Sequence, residues 1–123
     1  MSDDPYSPLV RKHFANTEHA GDLAGAIAIN IDEQGVRLRL SATVKNGRIQ
    51  SLRFRAWGCP HVIAACEWFC CHYEGEPGES LSGFRASDIM RNLSVPVEKT
   101  GRILVLEDAV RSLGQRLGGG SAP

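Results

Sequence analysis

The clearest signal in the chain is an alternation of apolar and polar residues over residues 36–44. Apolar side chains occupy the even positions, and arginine, serine and threonine occupy the odd ones. A period of two is typical of a strand with one buried face. It predicts that even-numbered residues from Val36 to Val44 point inward, whereas Arg37 and Arg39 point outward.

A second strand follows after a tight turn. Asn46-Gly47 is the strongest two-residue hairpin signal, because both central positions of that turn require positive φ. Residues 49–56 then resume the alternation, with one irregularity between Ile49 and Leu52 that predicts a small bulge. The two strands are therefore predicted to form an antiparallel hairpin.

Helical spacing and capping residues predict the remaining elements. We expect helices over residues 8–14, 60–73, 88–93 and 101–117, with Ser7 capping the first and Ser87 the third, and a further strand over residues 26–31. The last helix has an apolar stripe that should be buried: Leu106, Ala109, Val110, Leu113 and Leu117. This order predicts an α+β domain, with helices packed on one face of a three-stranded antiparallel sheet.

The domain is expected to span residues 1–117. Residues 118–123, Gly-Gly-Gly-Ser-Ala-Pro, have too little side chain to pack and are predicted to form a disordered tail.

Charge and composition narrow the classes of function. The chain has 14 basic and 14 acidic residues, and this balance argues against nucleic-acid binding through bulk electrostatics. No apolar run approaches the roughly 20 residues that a membrane helix requires, and the N-terminus lacks the order of a secretion signal. We therefore expect a cytoplasmic protein, in which four cysteines serve as free thiols or metal ligands.

The junction Trp57-Gly58-Cys59-Pro60-His61 is the first candidate for chemistry. Pro60 suits the first helical position, which makes Cys59 the N-cap residue. Unpaired backbone N–H groups and the helix dipole at that place favour a thiolate and lower the thiol pKa. His61 could add positive charge or a second metal ligand. The alternative is that Cys59 is a small buried thiol at a tight turn.

Cys59, Cys66 and Cys70 return to one side of the predicted helix, at spacings of i, i+7 and i+11. Cys59 and Cys66 are two turns apart, about 10 Å, which is too far for one tetrahedral ion. Cys66 and Cys70 could share one, although no CxxC pair is present. We favour a core face that uses cysteine as a small hydrophobe, and Cys71 and His72 receive no assignment.

Four segments in order resemble the NifU/IscU-type iron–sulfur cluster assembly scaffold family. They are the Tyr-Ser…Asn…Gly pattern over residues 6–21, FRAWGCPHVIA over 54–64, Gly75 with Asp88, Ile89 and Leu93, and LEDA over 106–109. The resemblance implies the scaffold fold and a process, iron–sulfur cluster assembly. It also implies that Cys59 is the second of three cysteines that hold a [2Fe–2S] cluster in the family.

The other positions of that family site have changed. The first cysteine aligns with Gln34, the nearby aspartate with Val36, and the third cysteine with Arg102, or with Gly101 after a one-residue slip. Neither glutamine nor arginine replaces a thiolate as an iron ligand. An arginine opposite a lone cysteine instead stabilises a thiolate. Routes to a cluster would then use Cys59 with His61, or a cluster shared between subunits.

Three functions remain open at this point. The first is an assembly protein that carries iron, a cluster or sulfur through Cys59. The second is a module on the same fold that binds no cluster and modulates a cysteine desulfurase or another assembly partner. The third is a zinc protein that uses Cys59, Cys66, Cys70 and histidines. None of the three is an enzyme.

The resemblance also bears on partners. It implies binding to a cysteine desulfurase. It implies weak or absent recognition by the assembly chaperone, because the family's Pro-Pro-Val-Lys segment is here Val95-Pro96-Val97-Glu98-Lys99. Neither nucleic acid nor a membrane is an expected partner.

Overall fold

Three strands form one antiparallel sheet in the order β1-β2-β3. A computed structural model describes residues 6–117, in which the strands are β1 (Ile27–Glu33), β2 (Val36–Lys45) and β3 (Arg48–Trp57). The predicted tail over 118–123 lies outside the described residues. The helices are α1 (Pro8–Ala15), α2 (Pro60–Tyr73), α3 (Ala86–Asn92) and α4 (Thr100–Leu117), with 3₁₀ turns at Gly78–Gly83 and Val97–Lys99.

The hairpin has the predicted turn and the predicted irregularity. Asn46 and Gly47 have φ values of +56° and +79°, as a two-residue turn of this type requires. Thr43 pairs with Ser51, whereas Val44 pairs with Ile49, so Gln50 is the extra residue of a bulge. Both expectations from the sequence are confirmed.

The inward face of β2 is confirmed over most of its length. Val36, Leu38, Leu40 and Ala42 have no exposed surface. Val44 was predicted to point inward as well, but it is 37% exposed. It lies one residue from the end of β2, beside the turn, where solvent reaches the side chain.

The long helices cover the inner face of the sheet, as predicted. α4 packs against β1 and β2, while α2 packs against β3 and α1. Cys66 and Cys70 are buried in this core, which confirms that they act as small hydrophobes. Among residues 6–117, none of the helices combines the length and apolarity needed to cross a membrane.

The start of α3 differs from the prediction. The helix begins at Ala86 instead of residue 88, and Arg85, not Ser87, is the N-cap residue. The reason is a contact from outside the segment: the Glu107 carboxylate of α4 accepts a hydrogen bond from the Ala86 N–H at 2.6 Å. This carboxylate satisfies an N–H group at the helix N-terminus that a local serine was expected to satisfy.

Candidate functional site

The candidate site lies where β3 passes into α2. Cys59 is half-buried and has extended backbone angles at the N-cap of α2. Its carbonyl oxygen accepts hydrogen bonds from the N–H groups of Val62 and Ile63, at 3.0 and 3.2 Å. Pro60 occupies the first helical position, where the lack of an N–H costs nothing. The sequence around Cys59 therefore fixes the sulfur beside the N-terminus of a 14-residue helix.

The surroundings of Cys59 favour its thiolate. Partial burial alone would raise the pKa of this thiol, but the backbone N–H groups of Val62 and His61 and the Arg102 guanidinium outweigh it. The net result is a Cys59 pKa below its ordinary value of 9.0. The sulfur makes no capping hydrogen bond of ordinary geometry, so the N–H groups act on it mainly as oriented dipoles.

Two of the altered positions come together with Cys59. Gln34 lies in the β1–β2 turn with φ +54°, and its Oε1 is 3.9 Å from where a Cβ on Gly101 would lie. Arg102, the next residue, is at the start of α4 and reaches Cys59. The fold thus brings the regions aligned with three family cysteines to one end of the molecule.

Val36, aligned with the family aspartate, is completely buried in the core. It offers neither a donor atom nor access to this end of the molecule. The aligned position is therefore a packing position in this chain.

Within residues 6–117, the side chains at this end of the molecule do not make a ligand set for a [2Fe–2S] cluster on one chain. Such clusters are held by thiolates, and Cys59 is the one thiol at this end. Cys66 and Cys70 lie in the core, where burial raises the pKa of both thiols. Cys71 follows Cys59 by twelve residues, about 18 Å along the helix axis.

His61 occupies a different environment from the one expected. Its side chain is only 2% exposed, and neither ring nitrogen has a hydrogen-bond partner within the described residues. The ring packs against Tyr6, with 4.8 Å between the ring centroids. Burial and the Lys99 charge lower the pKa of His61, against the opposite effect of Glu98. No hydrogen bond joins the ring to Cys59, whose neighbouring charge is Arg102 instead.

A second group of titratable side chains, absent from the sequence interpretation, lies farther along α2. It comprises His19, Glu67 and Cys71, whose donor atoms all lie within 4.8 Å of one another. Part of this group had a signal in the sequence: Glu67 is a carboxylate within an apolar helix, and Cys71 follows it at i+4 on the same face. His19 comes from a loop before β1, and no local pattern places it there.

Comparison with known proteins identifies the family of the fold. The model of the family described as NifU-like N terminal domain matches residues 5–113. The chain is 24% identical over 115 residues to iron sulfur cluster assembly protein 1, mitochondrial, of Kluyveromyces lactis, covering 87% of this chain and 64% of that protein. It is 25% identical over 114 residues to the iron-sulfur cluster assembly scaffold protein IscU of Haemophilus influenzae, covering 87% and 90%.

Solved structures share the fold at low sequence identity. The N-terminal part of a nitrogen-fixing NifU-like protein from Brucella abortus has a TM-score of 0.58 at 14% identity, covering 89% of this chain and 80% of that one. A protein described as a putative scaffold for the SUF system of Fervidobacterium islandicum also has a TM-score of 0.58, at 16% identity, covering 92% and 86%. The predicted architecture therefore has solved counterparts.

Proposed function

Because the chain belongs to the NifU-like N terminal domain family, we propose that it works in iron–sulfur cluster assembly through an altered site centred on Cys59. The relatives matched in sequence carry names from this process. One observation supports the site: the positions aligned with three ligand cysteines converge, and the retained thiol is held toward its thiolate form by the Val62 N–H and by Arg102. The protein is a carrier in this proposal, not a catalyst.

Sulfur is the cargo that a single thiolate can take. The Cys59 thiolate attacks the terminal sulfur of a cysteine persulfide on a desulfurase. The donor S–S bond breaks, the donor cysteine leaves as a thiolate, and a new S–S bond forms at Cys59. The persulfide anion on Cys59 then lies beside Arg102 and the N-terminus of α2, which stabilise negative charge.

Iron or a cluster would need thiolates from a second molecule. Neither Gln34 nor Arg102 offers a thiolate, and the buried ring of His61 has no hydrogen bond to Cys59. A cluster shared between two chains is therefore the form of cluster cargo that this site supports.

The partner is a cysteine desulfurase in this proposal, and chaperone binding is expected to be weak. A peptide in a chaperone groove is an extended apolar run. In this chain Val97–Lys99 forms a 3₁₀ turn, with the acidic Glu98 at its centre. The cytoplasmic location stays a prediction, since the relatives include a bacterial protein and proteins named as mitochondrial.

A second candidate is a module that binds and modulates the desulfurase without carrying sulfur or a cluster. The changes at Gln34 and Arg102 favour it, because they remove cluster ligands and leave the fold intact. A zinc site built from Cys66 and Cys70 has no such support, since both thiols are buried in the apolar core.

The deciding experiment is persulfide transfer without oxygen. The protein is incubated with a desulfurase and cysteine, and mass spectrometry locates any added sulfur atom. We expect it on Cys59, with slower transfer in Arg102→Gln because the Cys59 pKa rises. Arg111→Gln, which alters an arginine ion-paired with Glu107, serves as the matched control and should transfer normally.

Other outcomes distinguish the alternatives. Desulfurase binding with no sulfur on Cys59 would support the modulating module. Iron and sulfide in the protein purified without oxygen would support cluster cargo. Sulfur added to Cys59→Ser at the normal rate would contradict the proposal.

A further inference from the structure

We propose that His19, Glu67 and Cys71 form a binding site for a zinc-type transition metal ion, separate from Cys59. Within residues 6–117, these three residues are the one group of at least three metal-ligating side chains whose donor atoms lie close together. The site takes one nitrogen, one oxygen and one sulfur donor, a set that suits Zn²⁺.

The backbone holds the three donors in place. Glu67 and Cys71 are one helical turn apart on α2, so their side chains lie on the same face. The His19 carbonyl oxygen accepts a hydrogen bond from the Phe54 N–H at 2.9 Å, and the Gly21 N–H donates to the Phe54 carbonyl oxygen at 2.8 Å. The loop that carries His19 is therefore paired with the edge of β3.

The donor distances approach those of a tetrahedral zinc site. His19 Nδ1 lies 2.6 Å from Glu67 Oε2, Cys71 Sγ lies 3.2 Å from the same oxygen, and Sγ and Nδ1 are 4.0 Å apart. Ligand atoms around tetrahedral zinc are separated by about 3.3–3.6 Å, as follows from the usual Zn–ligand bond lengths. Side-chain shifts of about 0.7 Å or less per pair would bring the donors to those separations.

Glu67 is the buried anion of the group. Its side chain is 1% exposed, and Oε1 accepts a hydrogen bond from the His19 N–H at 2.9 Å. A buried carboxylate requires a compensating positive charge or hydrogen-bond donors. In the metal-free protein a proton on His19 and the Cys71 thiol provide them. A divalent cation can replace both protons at the same place.

A neighbouring carboxylate orients the histidine for metal binding. Glu74 Oε1 lies 3.1 Å from His19 Nε2, while Glu74 Oε2 accepts hydrogen bonds from the Leu52 N–H and from Arg53, at 2.9 and 3.1 Å. A proton on Nε2 directed at Glu74 leaves the Nδ1 lone pair for the ion. Metal-binding histidines commonly make such a contact with a carboxylate.

The three side chains leave a fourth coordination position for a ligand from outside the group. Cys71 is exposed, whereas Glu67 is buried. Three protein ligands with a fourth position for water or another molecule are typical of a zinc site that is not purely structural.

Titration of the metal-free protein with Co²⁺ and with Zn²⁺ tests the site. Co²⁺ bound by a thiolate gives a charge-transfer band in the near ultraviolet, and competition with a chromophoric chelator measures Zn²⁺ affinity. We expect Cys71→Ser to lose the band and to bind Zn²⁺ about tenfold or more weakly. Glu74→Gln should keep the band and weaken binding by about tenfold.

Cys59→Ser is the matched control, and it also separates this proposal from the proposed function. It should keep both the band and the Zn²⁺ affinity, although it abolishes persulfide formation. Circular dichroism verifies that each variant is folded, and Cys71→Ser is an exposed change that should preserve folding. A band lost in Cys59→Ser but kept in Cys71→Ser would overturn the proposal, as would the absence of any thiolate band in the native protein.

Discussion

The two ends of α2 place the same chemical group in opposite electrostatic surroundings. Cys59 at the N-terminus lies beside Arg102 and free backbone N–H groups, and its thiol pKa is below 9.0. Cys71, three turns later, is partly buried and hydrogen-bonded to Glu67, with Glu18 and Glu74 nearby. These effects raise the pKa of Cys71 to about 11.

Burial raises the pKa of both thiols, so the opposite directions of their shifts come from the local hydrogen bonds and charges. Cys71 is the more exposed of the two, yet it holds its proton more tightly. A thiolate beside positive charge suits nucleophilic sulfur chemistry. A thiol among carboxylates is suited to act as a metal ligand, because it loses its proton only when a cation binds.

The acidic end of α2 is the group of His19, Glu67, Cys71 and Glu74. Glu67→Gln should have the largest effect on stability, because it removes the buried negative charge of this group. The amide keeps an acceptor for the His19 N–H but loses the ion pair with the His19 ring. Breaking a buried pair in this way should lower the free energy of unfolding by about 3 kcal/mol. Urea denaturation at pH 6 with a chelator present measures it.

Asp22→Asn is the control for Glu67→Gln. Asp22 pairs with Arg39 and Arg55 on the surface, where its side chain is 46% exposed. Exposed pairs contribute about 1 kcal/mol or less. Equal losses in the two variants would show that Glu67 is not a buried anchor.

Alkylation should be faster at Cys59 than at Cys71, although Cys71 is the more exposed thiol. At pH 7, pKa values below 9.0 and about 11 give Cys59 a thiolate fraction at least about 100-fold larger. The lower nucleophilicity of a less basic thiolate reduces this advantage by about tenfold. Iodoacetamide labelling followed by peptide mass spectrometry should therefore show Cys59 reacting about tenfold faster.

Iodoacetamide labelling of a variant tests whether Glu67 is a cause of the slow reaction of Cys71. Glu67→Gln should speed labelling of Cys71 and leave Cys59 unchanged, because the charge it removes lies at the acidic end. Faster labelling of Cys71 than of Cys59 in the native protein would contradict the assigned pKa directions.

Local patterns were enough to predict most of the fold. The alternation over β2, the Asn46-Gly47 turn and the bulge are set by residues adjacent in sequence. The start of α3 was predicted wrongly because the Ala86 N–H at its N-terminus donates a hydrogen bond to Glu107, 21 residues away in sequence. Val44 pairs with buried Ile49, yet it is 37% exposed beside the turn, which periodicity alone does not show.

The two candidate sites also differ in how far local sequence could predict them. The cap position of Cys59 follows from Pro60, and the resemblance indicated Arg102 as its neighbour. The acidic group was missed because His19 and Glu67 are 48 residues apart. Only the pairing of the His19 loop with β3 brings them together, and that pairing has no local signature.

The smallest predicted effect is a pH dependence of stability that belongs to the acidic end. Burial would lower the pKa of His19, but hydrogen bonds and charges from Glu67 and Glu74 outweigh it and raise the pKa above 6.5. The folded state therefore holds this proton more tightly than the unfolded chain. The contribution is complete below pH 6.5 and is lost as the pH rises through the folded-state pKa.

Comparison of the native protein with His19→Gln isolates the contribution of His19 to the pH dependence of stability. Burial lowers the pKa of His13 and His61, so those residues contribute stability that is lost as the pH falls, the opposite direction. The native protein alone would mix the two trends, whereas the difference between native and variant removes what they share. With a chelator present, that difference in unfolding free energy should shrink between pH 6 and pH 8, and by less than the loss in Glu67→Gln, since only the proton on His19 is given up. A difference that grows with pH would mean that Glu67 does not hold a protonated His19, and the contrast between the two ends of α2 would then rest on Cys59 alone.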